Sequence, residues 1–128
     1  MLISIDFELE TPEVELGQVV TGNFIWQGST ARKSISVDIA IGWCTQGKGY
    51  QDQDTVCHQV FNEVEPDVIM PFAIALPLNA PPSYSGKLIK IMWKVTTTIY
   101  IQGFLGKFGN QKEEFSRPIK VLPYRVVP

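Results

Sequence analysis

The residues able to do acid–base, nucleophilic or metal chemistry are few and are spread along the chain. His58 is the only histidine, and it directly follows Cys57. Neighbouring side chains on a strand point to opposite faces, so these two are not expected to pair as base and nucleophile or to share a metal. Cys44 could approach His58 if their strands pair, but two such ligands fall short of a structural zinc site. His58 lies at the same alternate positions as Val56 and Val60, and therefore on the same strand face, so we predict a half-buried sheet histidine. We also predict no metal and no cofactor.

Paired carboxylates and a glycine-flanked lysine are the other candidates for chemistry. The carboxylate pairs are Asp52 with Asp54 and Glu63 with Glu65. Neither pair lies in a loop with the full set of calcium-ligand positions, and a solvated loop explains both pairs better. Gly47-Lys48-Gly49 is too short to cradle a phosphate and lacks a following helix. Together with the lone histidine, these features predict a protein that is not an enzyme.

Alternation of apolar and polar side chains predicts the elements that would position these residues. Seven stretches have the period of a strand with one buried face, and none has a convincing helical period. The predicted strands are residues 1–10, 18–27, 34–43, 55–61, 72–76, 89–101 and 114–121. The predicted core comprises Ile3, Ile5, Phe7, Phe24, Trp26, Ile39, Ile41, Phe72, Ile74, Ile91 and Trp93. This pattern indicates an all-β, immunoglobulin-like antiparallel β-sandwich, with residues 1–128 as a single domain.

Interruptions of the alternation mark where strands bend or end. Gly22, inside the second predicted strand, indicates a bulge or a close backbone approach. Pro118 predicts that the last strand lies at a sheet edge or has a local break. The polar, glycine-containing stretch 44–54 is predicted to be the longest loop. Three prolines between residues 77 and 82 remove backbone donors and predict a rigid corner between two strands.

Composition limits the classes of partner and the location. With 13 acidic and 11 basic residues the net charge is −2, so the positive stripe of a nucleic-acid binder is not expected. No apolar run has the 18 or more residues of a membrane span. The first ten residues alternate and include acids, unlike a signal peptide, and the two cysteines are predicted to be reduced thiols. These features predict a cytoplasmic protein.

The stretch PFAIALPLNAPPSYSGKLIKIMWKV, residues 71–95, carries the most specific pattern. A strand ending in Leu-Pro, followed by Pro-Pro-Ser-Tyr-Ser-Gly-Lys and an alternating strand with a central aromatic, resembles a signature of the arrestin-like N-terminal domain. Residues 14–28 and 35–42 resemble the early strand and the following strand of that domain, in the same order. The resemblance covers most of the chain and implies an arrestin-like sandwich that acts as an adaptor or scaffold for other proteins.

The resemblance also suggests where a partner would bind. In arrestins the loop after the third strand reaches the receptor, and by position this loop is 44–54 here. The first strand is where a tail segment docks in arrestins, and an unpaired sheet edge recruits strands on physical grounds. Phe104 and Phe108 lie in a glycine-rich loop and are predicted to form either a contact patch or a lid over one end of the sandwich. The predicted contacts to a protein or extended peptide, or to a second copy, are Lys48, Tyr50, Ile5, Phe7, Phe104 and Phe108.

A carbohydrate- or small-ligand-binding sandwich is the alternative function. The aromatic residues that could supply stacking faces are Trp26, Trp43, Tyr50 and Tyr84. The parity of Trp43 with Ile39 and Ile41 favours a core position for this tryptophan. Compared with a full arrestin, the chain is expected to lack the second domain, which argues against a phosphate-sensing switch.

Overall fold

The computed structural model describes residues 4–28, 34–47, 52–102 and 111–124. Within these ranges the strands are, in chain order, β1 (Ser4–Leu9), β2 (Glu13–Glu15), β3 (Val19–Gln27), β4 (Ser34–Gly47), β5 (Gln53–Phe61), β6 (Met70–Ala75), β7 (Tyr84–Ser85), β8 (Ile89–Gln102) and β9 (Gln111–Leu122). No helix that is long and apolar enough to cross a membrane occurs in the described ranges.

The strands form two sheets, and the chain folds as an all-β sandwich. The smaller sheet has the order β1-β3-β6, and the larger has the order β2-β9-β8-β4-β5, with β7 also pairing with β8. All pairings are antiparallel except that of β2 with β9. The seven longer strands correspond to the seven predicted ones. β2 and β7, with three and two residues, are too short to show an alternation in the sequence.

The core between the sheets is formed by the alternating apolar residues that the sequence predicts to be buried. The rings of Phe24 and Phe61 meet edge to face with centroids 5.1 Å apart. The Trp26 indole N–H donates to the Val64 carbonyl oxygen at 2.9 Å. The buried members of the predicted core are Ile5, Phe7, Phe24, Trp26, Ile39, Ile41, Phe72, Ile74 and Trp93, while Ile91 is partly buried and Ile3 lies outside the described residues. Burial of these side chains confirms the predicted strand faces.

β4, which corresponds to the third predicted strand, continues well beyond its predicted end. β4 runs to Gly47 and β5 begins at Gln53, so the predicted loop 44–54 is wrong at both ends. Polar residues extend the strand because the equally long β8 lies beside it and provides a backbone partner for each of them, such as Ile91 for Thr45. Thr45 is also buried. Tertiary pairing therefore overrides the loop-like composition of this stretch.

The proline-rich corner between β6 and β8 has the predicted form. β6 ends at Ala75, and an irregular connection leads to the short strand β7. The Trp93 indole N–H donates to the Pro81 carbonyl oxygen at 2.8 Å. Ser83 is tied to β9, since its N–H donates to the Val121 carbonyl oxygen at 2.8 Å. The corner is thus fastened to the larger sheet on both sides.

Candidate partner-binding site at the β1 edge

β1 is an outer strand of the smaller sheet and pairs only with β3 among the described residues. The Glu10 N–H donates to the Thr21 carbonyl oxygen at 3.0 Å, which continues the ladder beyond the last residue of β1. In an antiparallel ladder, residues alternate between bonding toward the partner strand and bonding away from it. The N–H and C=O groups of Ile5, Phe7 and Leu9 therefore point away from β3. These three residues form an open backbone edge.

The first half of β9 forms a second open edge on the same side of the sandwich. The Lys120 N–H donates to the Pro12 carbonyl oxygen at 2.8 Å, so the backbone of Lys120 faces β2. The backbone nitrogen of Pro118, two residues earlier, points to the same side as that of Lys120. However, the first residue of β2 pairs with Lys120, so β2 does not extend as far as Pro118. No described strand lies beside Pro118 there, and its missing N–H removes no bond to β8. The predicted edge position of Pro118 is confirmed locally.

Two side chains of β9 lie uncovered beside the β1 edge. Phe115 and Arg117 share the inward parity of the buried residue Ile119. Phe115 is nevertheless 38% exposed, and the Arg117 guanidinium carbon lies 4.8 Å from the centroid of the Phe7 ring. The smaller sheet thus ends at β1 without covering the inner face of β9. We call the β1 edge together with Phe115 and Arg117 the open side.

The opposite lateral side of the sandwich is more shielded. β5 and β6 are the other outer strands of the two sheets, and their Cα atoms approach within 8 Å. Pro71 also removes one backbone donor from β6. Of the two lateral sides, the one bounded by β1 is therefore the more accessible to an added strand.

The predicted contact residues are placed unequally. Ile5 and Phe7 lie on the open β1 edge, but their side chains are buried, so only their backbone groups are available to a partner. Lys48, Tyr50, Phe104 and Phe108 lie outside the described residues. The end of β4 pairs with the start of β8, on the side of β8 away from β9. The structure therefore does not bring the end of β4 to the open side.

The candidates for acid–base and metal chemistry are not gathered into a site. The prediction of a half-buried His58 is wrong: its side chain lies exposed on the outer face of the larger sheet, with its Nδ1 3.2 Å from Asp38 Oδ1. The opposite face of β5, with Cys57 and Phe61, packs against the core. Cys44 and Cys57 are free thiols on β4 and β5, and burial raises the pKa of the Cys57 thiol. A raised pKa keeps the thiol protonated and unreactive. Within the described ranges no three His, Cys, Asp or Glu side chains could hold a metal ion.

The three described aromatic residues considered for ligand stacking do not form a platform. Trp26 is fully buried, and Trp43 is partly buried and packs against the core, as its parity predicted. Tyr84 is exposed and lines a shallow depression of 380 Å³ with Met92 and Pro118. Tyr50 lies outside the described residues. A single exposed tyrosine beside an apolar depression is a weak basis for sugar recognition.

Phe115 and Arg117 were missed by the reasoning from sequence. The sequence places Phe115 and Arg117 on the same strand face as Ile119, opposite to Pro118. Such alternation predicts which face a residue points to, but it does not predict whether another sheet covers that face. The combination of an inward aromatic residue with a nearby edge proline was the available signal.

No protein-family model and no curated protein sequence matches this chain. Among solved structures, the crystal structure of Spo0M, a sporulation control protein from Bacillus subtilis, is similar to it. The TM-score is 0.71 at 20% sequence identity, over 95% of this chain. The chain spans 50% of the length of that Spo0M chain. This likeness supports the arrestin-like fold that the Leu-Pro and Pro-Pro-Ser pattern predicted.

Proposed function

We propose that the chain is a non-enzymatic, cytoplasmic interaction domain that holds an extended segment of a partner protein by strand addition at β1. The observation that carries this proposal is the open backbone edge of Ile5, Phe7 and Leu9. An added strand would pair with these groups and extend the smaller sheet over Phe115. Backbone bonds would supply affinity, and alternate side chains would supply selectivity.

The energetics require side chains as well as backbone. Three edge residues offer three N–H donors and three C=O acceptors, hence up to six new bonds, each contributing about 0.5–1.5 kcal/mol net. Association costs about 4–15 kcal/mol in lost freedom. Backbone pairing alone therefore roughly balances the cost of binding. Covering the exposed part of Phe115 adds the apolar contribution that would make the complex form.

The resemblance to the arrestin N-terminal domain supports the same edge, since a tail segment docks on the first strand in arrestins. Lys48 and Tyr50, and Phe104 and Phe108, belong to the proposal as further contacts from loops. Because the end of β4 lies away from the open side, we propose that residues 48–50 touch a different part of the partner.

The test compares Ile5→Pro with Ile5→Ala in pull-downs from native lysate. Both variants remove the same apolar side chain, but only proline removes the N–H that faces the open edge. We expect wild type and Ile5→Ala to capture the same protein, and Ile5→Pro to lose it. Circular dichroism checks that each variant is folded. Capture that survives Ile5→Pro would rule out strand addition at this edge.

A variant with Lys48→Ala and Tyr50→Ala tests the loop contribution separately. We expect weaker capture than with wild type but not complete loss, because the backbone edge is intact. If both the edge variant and the loop variant keep every partner, small-ligand binding at the depression beside Tyr84 becomes the better explanation.

A further inference from the structure

We infer that the segment taken up at β1 alternates apolar and basic residues, and that it comes from another protein and not from a second copy of this chain. This inference rests on the proposed strand addition. It adds the chemistry of the partner, which the open edge alone does not specify.

The solvent face of β1 is acidic. Asp6 and Glu8 are exposed on this face, and the neighbouring strands β3 and β6 contain no charged residue. None of the ion pairs formed by described residues involves Asp6 or Glu8. Glu10 differs, because the Thr21 hydroxyl donates to its carboxylate at 2.8 Å. Two carboxylates on the edge strand thus have no ion-pair partner among the described residues.

The ladder geometry determines what lies opposite these carboxylates. Since Ile5, Phe7 and Leu9 direct their backbone bonds to the open edge, Asp6 and Glu8 would sit in non-hydrogen-bonded pairs with an added strand. In such pairs the Cα atoms are about 4.5 Å apart and the side chains are close. Lysine or arginine at both opposing positions would form cross-strand ion pairs.

The inner positions of the added strand call for apolar side chains. Residues opposite Ile5, Phe7 and Leu9 would point toward the larger sheet, where Phe115 is 38% exposed. Arg117 already stacks on Phe7 and offers its apolar stem to the same space. The favoured segment is therefore five residues long, with apolar residues at its first, third and fifth positions and basic residues between them.

A second copy of the chain does not fit this edge. Antiparallel pairing of two β1 strands through their open edges places Asp6 opposite Glu8 when the pairing is centred on Phe7. When it is centred on Asp6 or on Glu8, that carboxylate lies opposite itself in the partner copy. Like charges directly opposite one another destabilise the pairing. The acidic face thus disfavours self-association through β1 and selects a basic partner.

Three synthetic peptides with Gly-Ser flanks and blocked ends test the inference by fluorescence anisotropy at low salt. Their central sequences are Val-Lys-Val-Lys-Val, Val-Glu-Val-Glu-Val and the reordered Lys-Lys-Val-Val-Val. We expect the alternating lysine peptide to bind about tenfold more tightly than either of the others, because it alone matches both faces of β1. Equal binding of the lysine and glutamate peptides, or no binding by any peptide, would overturn the inference.

Charge reversal on the protein gives the matched experiment. The double variant Asp6→Lys with Glu8→Lys should reverse the preference toward the glutamate peptide. The control, Asp54→Lys with Glu65→Lys, changes the net charge equally at exposed sites away from β1 and should keep the lysine preference. If both double variants behave alike, general charge attraction explains the binding and the inference fails.

Two further measurements separate this inference from the proposed function. Ile5→Pro should abolish peptide binding while Ile5→Ala retains it. If this holds but the charge-reversal variant shows no altered preference, strand addition stands and the partner chemistry is wrong. Sedimentation should show no dimer that depends on the Ile5 N–H. A wild-type dimer that Ile5→Pro dissociates would assign the edge to a second copy and overturn the inference.

Discussion

At the scale of single residues, the two fully buried tryptophans are held by polar as well as apolar contacts. Trp26 and Trp93 each bury the whole indole, and each donates its N–H to a backbone carbonyl of an irregular connection. A buried indole N–H without a partner would be costly, so these bonds also determine where the connections lie. Each tryptophan therefore links a strand to the connection that covers it.

Trp93→Ala is expected to lower the free energy of unfolding by about 3–5 kcal/mol, the usual range for emptying a large buried aromatic site. Tyr100→Ala is the matched control, because Tyr100 lies on the same strand but is 43% exposed. A change of about 0.5 kcal/mol is expected for the control. Urea denaturation followed by circular dichroism measures both. A loss below about 1 kcal/mol for Trp93→Ala would contradict its role in the core.

At the scale of elements, the smaller sheet depends on a glycine at its central strand. Gly22 of β3 pairs with Leu9 on β1 and with Phe72 on β6. A Cβ at this position would overlap the Glu8 carbonyl oxygen and lie 2.6 Å from the Phe72 ring. The close approach that a glycine within a strand suggested is confirmed. The missing side chain lets the backbone of β1 and the Phe72 ring lie close to β3 at this position.

Gly22→Ala is expected to destabilise the protein by about 1–3 kcal/mol, because neither the backbone of β1 nor the buried Phe72 ring can move away without strain. Gly86→Ala is the control, since the three heavy atoms nearest to its new Cβ all belong to the exposed Tyr84 side chain, which can rotate. We expect a change below about 1 kcal/mol for the control. Equal midpoints of chemical denaturation for the two variants would show that the smaller sheet tolerates a side chain at Gly22.

At the scale of the whole molecule, the fold is dominated by contacts between distant parts of the chain. β8 pairs with β4 on one side and with β9 on the other, and it joins the two longest ladders. β2 pairs with β9, so Glu13 lies opposite Lys120. Such pairings require the closure of long loops before any bond forms. The topology therefore predicts slow folding relative to helical proteins of this length.

Refolding from urea is expected to take milliseconds to seconds, as for other sandwiches with mostly non-local pairing. Stopped-flow tryptophan fluorescence measures this time, because Trp26 and Trp93 pass from water into the core. The expected main phase reports sheet formation. Complete refolding within microseconds would contradict the non-local topology.

Local chemistry determined the strands and their faces. The side-chain period of two in segments such as residues 4–9 and 34–39 was readable because the apolar residues alternate without a break, and their burial confirms it. The proline-rich corner was equally readable, since proline excludes regular pairing wherever it stands. These features depend only on residues that are adjacent in the chain, so they can be read from the sequence.

The tertiary structure alone decided which faces are covered and which edges are open. β4 continues through polar residues because β8 lies beside it, and His58 is exposed because the pairing of β5 with β4 places its side chain on the outer face of the larger sheet, beside Asp38. The open side likewise results from where the smaller sheet stops above β9. Phe115 has the parity of a core residue and remains 38% exposed. Parity is a property of one strand, whereas burial depends on a second sheet whose extent is set by pairings far apart in the chain.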